Sequence, residues 1–561
     1  MRLSVKTGYI IKYLALLSVI LMLYFIMFKE EKRDSSESLP DNVSELKEMV
    51  VSLTKKVQKE NRKLEGVEQE NEFLREQLRL IRLKMYARIS ERYQDETDVI
   101  QNLLFKEIKS MEAEQEEVPE DLTIKEHKRK RSGRKPIPED LPRVEVVHDT
   151  SEEDKKCECG SEKSCIGEET SEKLQIEPAK LWVEKHIRPK YACRECEGLE
   201  DEGETVSIAP VPPSMIPKSI TTPSLLSHIF ISKFCDALPF YRQEQQFKRY
   251  GVEINRSNMC NWALRTSDRL KPLLEMLRLY ILSGPLINVD ETTVQVLNEP
   301  GRKPQSKSYS WVFLGGMGGM PGLYYHYAPS RSGKIAEEFL SGYQGYVQTD
   351  GYAGYNFLDS KKGISHCGCW AHVRRKFNDV VKASGSKNMR KGKANHALSV
   401  IRDLYLIERE AKNRGYDEEQ ILTIRIERSK PIIDEFEIWL KENAPVIPPQ
   451  SLLGKAFGYT LSQWPRLVKY LDSGLVRMDN NLIENAIRPF VIGRKNWLFS
   501  VSQEGARASA SFYSLIETAK ANDLEPSRYL RYLFEKYPYV KTSEDIFNLL
   551  PMNVHKADLK K

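Results

Sequence analysis

Between Gly284 and Phe377 the chain sets out short apolar segments in an order that few folds accommodate. Pro285 to Val289 reads as a strand ending in Asp290, within LINVDETTVQVL. Tyr309 to Gly315 and Leu323 to Ala328 read as two further strands, and Ser332 to Leu340 as a helix. A fourth strand, Tyr346 to Thr349, ends in Asp350, and a fifth, Ile364 to Trp370, leads into a helix from Ala371 to Phe377. Short apolar runs bounded by turn residues are the signal for strands. A single Asp at a strand end is usually a cap or turn residue. Two of them, on the first and fourth strands of this series, meet if those strands are neighbours in one sheet. That order is the order of a ribonuclease-H-like core, a mixed five-stranded sheet with helices.

Two converging carboxylates suit phosphodiester chemistry, in which a nucleophile is activated and the leaving 3′-oxygen is stabilised. A pair of Mg²⁺ (or Mn²⁺) ions about 3.5–4 Å apart does both when held by Asp and Glu oxygens. Such sites commonly need a third carboxylate. The candidate is Glu484, in the first turns of a helix that follows the Asn-rich start Met478-Asp479-Asn480-Asn481, where Asp479 reads as the N-cap. The interval of about 387–472 reads as helical, an insertion within a catalytic domain of 284–540 that leaves 541–561 as a C-terminal tail.

Upstream, the chain is modular. Tyr9 to Phe28 is twenty residues with Lys12 as its one charge, long enough to span a bilayer. It reads as a membrane anchor or as a mis-assigned start with Met27 or Met49 as the true one, and 1–42 is set apart as this segment and its spacer. From Val43 to Ile89 two apolar seams run, Val43, Val50, Val57, Leu64, Asn71, Leu78, Met85 and Leu46, Leu53, Glu60, Val67, Leu74, Ile81, the spacing of a coiled coil that pairs two copies of the chain. A charged linker (90–150) turns from acidic (Glu112 to Asp121) to basic (His127 to Lys135) before Pro136, Pro138 and Pro142. Within 151–200, Cys157 and Cys159 face Cys193 and Cys196 across a loop, the arrangement of a small zinc module, with Cys165 or His186 as substitutes for a front ligand. In 218–283 a helix (Tyr241 to Tyr250), a turn at Gly251 and a second helix (Ser257 to Leu264) follow the helix-turn-helix layout.

Composition limits the alternatives. A 30% charged fraction excludes a polytopic membrane protein, and nine cysteines in 561 residues are too few for a disulfide scaffold. The net charge of +6 admits nucleic acid as a partner without demanding it.

Several motifs together resemble one family. VDET at Asp290, TDGYAGY at Asp350, CWAHVRRKF from Cys369, DNNLIENAIRPFVIGRKNWLF from Asp479, CECG…HIRPKYACRECEG and LLPMN (Leu549 to Asn553) are similar to the insertion sequence 66 family of transposases, from about Ser44 to Asn553. The hydrophobic N-terminus departs from that pattern. The resemblance implies a multidomain α/β protein in which Asp290, Asp350 and Glu484 form an Asp-Asp-Glu triad that binds magnesium. It implies cleavage at transposon ends and strand transfer into target DNA, with accessory proteins of the same element as further partners. A site-specific nuclease on the same core, or an inactive DNA-binding relic, are the alternative readings.

Arg374 and Arg375, after His372, and Arg494 and Lys495, with Trp497 close by, are candidate DNA contacts, cations for phosphate and a ring for a base. Cys367, Cys369 and His372 lack an evident fourth ligand for a second metal site. Localisation follows the N-terminus: the bacterial cytoplasm and nucleoid, or the inner membrane if residues 9–28 anchor the chain.

Overall fold

The computed structural model describes residues 180–192, 206–384 and 392–559, with residues 55, 59, 74, 75 and 78 of a helix. The four module cysteines, the basic linker, nearly all of the heptad run and residues 9–28 lie outside the described residues. Among those described, no helix is long and apolar enough to cross a membrane. A two-stranded ribbon, β1 (Lys190–Ala192) against β2 (Val206–Ile208), precedes the main body.

The main sheet has the order β5-β4-β3-β6-β7. Its members are β3 (Leu286–Asn298), β4 (Lys307–Met317), β5 (Met320–Ala328), β6 (Gly345–Gln348) and β7 (Ile364–Cys367). β3 runs antiparallel to β4 and parallel to β6, so the sheet is mixed, and β8 (Ser500–Ser502) extends it beside the far end of β3. β3 does not stop at Asp290. Its second half, Glu291 to Asn298, pairs with β4 through Thr292, Thr293 and Val294, whose branched side chains suit a pleated surface. Asp290 is therefore a mid-strand residue. Gly318 and Gly319, at φ +58° and +76°, make the two-residue turn from β4 to β5, a conformation glycine adopts without strain.

Helices α1 (Pro223–Phe234), α2 (Phe240–Arg249), α3 (Arg256–Arg269) and α4 (Lys271–Leu282) lead into β3. They were expected as a separate domain, yet they share one hydrophobic core with the sheet. Later come α5 (Lys334–Phe339), α6 (Trp370–Ser384), and then α7 (Lys393–Asn413), α8 (Glu418–Ile424), α9 (Lys430–Asn443) and α10 (Leu452–Leu467). The chain ends with α11 (Asn481–Trp497), α12 (Gln503–Ala521), α13 (Pro526–Lys536) and α14 (Ser543–Asn548).

α12 is buried on nearly every side, and its Ala and Ser residues let neighbours approach closely. Phe512 stacks on Phe234 at 5.0 Å, and the Ser267 hydroxyl meets that of Ser511 at 2.9 Å. Along β5, the outermost strand, α12 supplies the missing ladder partner. Ser514 Oγ accepts from Tyr325 N (2.8 Å), Thr518 Oγ1 accepts from Leu323 N (2.9 Å), and Asn522 Nδ2 donates to Pro321 O (2.8 Å). Four helical residues rise about 6 Å and two strand residues about 6.7 Å, so the two repeats keep step. The last residues do not form the expected tail. Leu549, Leu550, Met552, Val554 and Leu559 are buried, and Tyr529 Oη donates to Leu549 O at 3.0 Å.

Residues 372–414 and 423–465 form a second, helical unit, in keeping with the helical reading of that interval. Ile401, Leu404, Ile433, Phe436, Leu440 and Phe457 are buried there. Arg425 opens a π-helical turn (Arg425–Ser429) and is buried, with its guanidinium on the Glu408 carboxylate at 2.6 and 2.7 Å.

Candidate active site

The parallel pairing of β3 and β6 decides where the two aspartates stand. Asn288 lies opposite Gln348 in register. Two residues on from each are Asp290, on the same face of β3 as Asn288 because side chains alternate with period two, and Asp350, just past the end of β6. Glu484 arrives from far along the chain, in the first turn of α11. That helix is held to β3 by its own start: Asn480 Nδ2 donates to Val289 O at 3.1 Å, and Asn288 Nδ2 donates to Asn480 Oδ1 at 2.8 Å. The apolar face of α11, Ile483, Ile487 and Phe490, is buried at helical spacing, which fixes its rotation. A carboxylate in the first turn is also favoured by the positive end of the helix dipole.

The electrostatics show Asp350 and Glu484 both acting on Asp290. Burial, and then the charges of Glu291, Asp350 and Glu484, hold the Asp290 carboxyl well above the usual carboxylate range. The Glu291 N–H, donating to Asp290 Oδ1 at 2.8 Å, opposes this. Asp350 Oδ1 accepts from Tyr352 N at 2.9 Å. Repulsion of this kind is what a divalent cation relieves, and three hard oxygen donors suit Mg²⁺ or Mn²⁺. Among the described residues, no three of His, Cys, Asp and Glu stand within common reach of a metal as placed, so a cation would have to draw these side chains inward.

Around the acids lie residues that the sequence did not single out. Glu291 has a fully buried carboxylate, raised by burial, which accepts from Tyr355 Oη and from Arg331 Nε at 2.5 Å. Arg331 in turn lies over the Tyr352 ring, 3.8 Å from its centre, and its charge reaches Asp350. Behind Asp350 runs a polar chain: Arg466 pairs with Asp359, Asp359 Oδ1 meets His366 Nδ1 at 2.7 Å, and His366 Nε2 meets Thr349 Oγ1 at 2.9 Å. Burial pushes His366 down to about 4, so it stays neutral at ordinary pH.

Other expected residues are placed differently. The N-cap of α11 is Asn480 and not Asp479, although Asp479 Oδ1 accepts from Asn481 N at 3.1 Å. Arg494 Nη1 donates to the Thr293 carbonyl and to Thr293 Oγ1 (2.9 Å), so part of its guanidinium braces β3. Trp497 is half-buried and meets Phe490 edge-on at 5.6 Å, while Lys495 beside it is exposed. Arg374 and Arg375 lie on α6, the second of them exposed. Cys367 and Cys369 are buried free thiols; Cys369 Sγ accepts from Asn480 N at 3.3 Å, and burial pushes Cys367 up to about 12. On α3, Arg256, Ser257, Asn258, Asn261 and Arg265 form an exposed polar face opposite the buried Met259, Trp262 and Ala263.

Residues 218–508, which carry the sheet and all three acids, match the family described as "Transposase IS66 family". The chain belongs to that family. Three further matches extend along the sequence: a "zinc-finger binding domain of transposase IS66" at 154–197, "Transposase C of IS166 homeodomain" at 73–146, and the "IS66 C-terminal element" at 514–552. This IS66-family chain is 35% identical over 431 residues to the uncharacterized protein y4jD of Sinorhizobium fredii, covering 74% of this chain and 81% of the relative. The uncharacterized protein y4qI of the same organism is 32% identical over 425 residues, 73% of this chain and 76% of its own length. Membership accounts for DNA as the substrate class and for zinc as the metal of the segment that holds Cys157, Cys159, Cys193 and Cys196. In the IS66 element at the C-terminus, LLPMN is a core-packed segment.

Proposed function

We propose that this transposase works by Asp-Asp-Glu chemistry on a ribonuclease-H-like sheet, with Asp290, Asp350 and Glu484 holding Mg²⁺ or Mn²⁺. One observation carries the reading: the charges of Asp350 and Glu484 both act on the Asp290 carboxyl, although the three come from different parts of the sequence. When bound, divalent ions would supply activation of the attacking oxygen and stabilisation of the leaving one. The chain's own residues orient that chemistry. Asp290 is fixed from the backbone side by the Glu291 N–H, and Asp350 by the Tyr352 N–H, which leaves each with a second oxygen for a ligand. Arg331 adds a half-exposed cation beside the acids, where the phosphate would lie.

In the first step water adds to phosphorus at a transposon end, the bond to the 3′-oxygen breaks, and a 3′-hydroxyl and a 5′-phosphate result. In the second, that hydroxyl attacks a target phosphodiester in line, and the displaced target 3′-oxygen takes up the proton. One phosphodiester is exchanged for another, so no energy source is consumed. Cys157, Cys159, Cys193 and Cys196 hold zinc in this reading, and that module reads the ends together with the polar face of α3. A coiled coil over 43–89 pairs two protomers so that both ends are handled together. Lys495, Arg374, Arg375 and the free part of the Arg494 guanidinium contact DNA phosphates, in the bacterial nucleoid.

The test is Mg²⁺-dependent cleavage and joining of DNA carrying the element's ends, with the full chain and its Glu484→Gln variant. Joined product from the first, and DNA binding without product from the second, is the expected result. Equal product from both overturns the triad, and cleavage without joining makes the protein a nuclease.

A further inference from the structure

Beneath the three acids lies a layer of three amides. Asn288, Gln348 and Asn480 are 4%, 0% and 1% exposed. Asn288 Nδ2 donates to both Gln348 Oε1 (3.0 Å) and Asn480 Oδ1 (2.8 Å). Gln348 Nε2 donates onward to Arg477 O (2.7 Å) and Gly368 O (3.1 Å), and Asn480 Nδ2 to Val289 O (3.1 Å). Each amide stands one structural repeat from one acid. Asn288 precedes Asp290 by two strand residues, Gln348, the last residue of β6, precedes Asp350 by two residues, and Asn480 precedes Glu484 by one helical turn. Those steps measure about 6.7 Å and about 6 Å.

We infer that Asn288, Gln348 and Asn480 act as positioning residues, a buried amide clamp that sets the spacing of Asp290, Asp350 and Glu484 and thereby their affinity for a divalent cation. The inference rests on the assignment of those acids as the metal-binding set. Three carboxylates that repel one another push their supporting elements apart. Apolar packing resists this without fixing register, because it is non-directional. Charged supports would add to the field they must withstand. Neutral amides, hydrogen-bonded to one another and to the backbone, hold β3, β6 and the start of α11 at one spacing and add no charge. Asn480 shows the diversion most clearly. It occupies the N-cap of α11 with no side-chain cap bond, the usual work of an asparagine there, and spends its amide on β3 instead.

The experiment measures Mn²⁺ binding to the full chain, with its zinc retained and Mg²⁺ and Mn²⁺ dialysed away, by the electron paramagnetic resonance of free Mn²⁺, without DNA. Wild type, Glu484→Gln, Asn288→Ala and Asn480→Ala are compared, each with its thermal midpoint and its affinity for DNA. Loss of an outer-shell support typically costs about 10–100-fold in metal affinity. Asn288→Ala is expected to weaken Mn²⁺ binding at least tenfold while DNA affinity stays as in wild type. Asn480→Ala reports on the same clamp from the helix side and decides the matter if Asn288→Ala does not fold. Unchanged Mn²⁺ affinity in a folded amide variant overturns the clamp. Wild type and Glu484→Gln binding Mn²⁺ alike overturns the triad itself, a separate failure.

Discussion

His366 offers the sharpest quantitative test, because its environment fixes both a sign and a size. Its ring is buried between Asp359, which would favour the charged form, and Arg466, which opposes it. Asp350 also favours the cation, yet burial, with Arg466 on its side, outweighs the two carboxylates and the group titrates at about 4 in the folded chain against 6.5 in the unfolded one. Below pH 6.5 the unfolded chain takes up a proton that the folded chain refuses, so stability falls as pH drops from 6.5 towards 4 and then levels. The loss from this residue is about 2 kcal/mol at pH 5 and about 3 kcal/mol at pH 4. His366→Gln removes the titration. Urea unfolding of both proteins, followed by tryptophan fluorescence from pH 7 to pH 4, should show the variant less stable at neutral pH. The gap should then close by about 2 kcal/mol at pH 5. Parallel curves across that range would refute the claim that His366 is held neutral in the fold.

Three other outcomes follow from the geometry. Thr518→Val keeps the shape of the side chain but strands both Leu323 N and Leu323 O, which its hydroxyl serves, and should lower stability by about 2–4 kcal/mol in urea; a loss below about 0.5 kcal/mol would count against the edge pairing. In the helical unit, Arg425→Met leaves Glu408 facing a buried space without its cation, and should cost up to about 3 kcal/mol, with much of it recovered in the double variant Arg425→Met/Glu408→Leu. For the cysteine module, elemental analysis should find about one zinc per chain, lost when Cys193 and Cys196 are both changed to serine, whereas retained zinc would move the site elsewhere.

The order of strands and the places of Asp290, Asp350 and Glu484 along β3, after β6 and at the start of α11 were legible because each rests on local signals: apolar runs with turn residues, and an Asn-rich helix start before Glu484. The length of β3 was not. After Asp290 the apolar run gives way to Glu291, Thr292 and Thr293, which look like a loop until β4 is present to pair with them. The C-terminal segment was misjudged for a related reason. LLPMN is short and broken by proline, and its burial depends wholly on a surface built by distant helices. The amide layer did leave a trace. In both NVD and QTD an amide stands two residues before the aspartate, at a strand position among apolar neighbours. A polar residue there has no reason to be buried unless something across the sheet answers it. The Arg331–Glu291 pair had no such trace, because its partners are joined only by the turn of the chain after β5.

The row of hydroxyl and amide groups that α12 lays along β5 also limits how copies of this chain can meet. An open outer strand is a template on which another chain's strand can form, without regard to sequence. Here Pro321, Leu323 and Tyr325 already have their backbone partners, at intervals that match one turn of the covering helix. Sliding α12 by a single residue would misalign every bond in the row, and the next offset that restores them is a whole turn away, about 6 Å. The joint thus behaves like a rack and pinion with coarse teeth, engaged or disengaged and never between. Any gathering of several copies at this side of the molecule has to proceed through side-chain surfaces, where charge and shape can discriminate, and not through the indiscriminate adhesion of a bare strand.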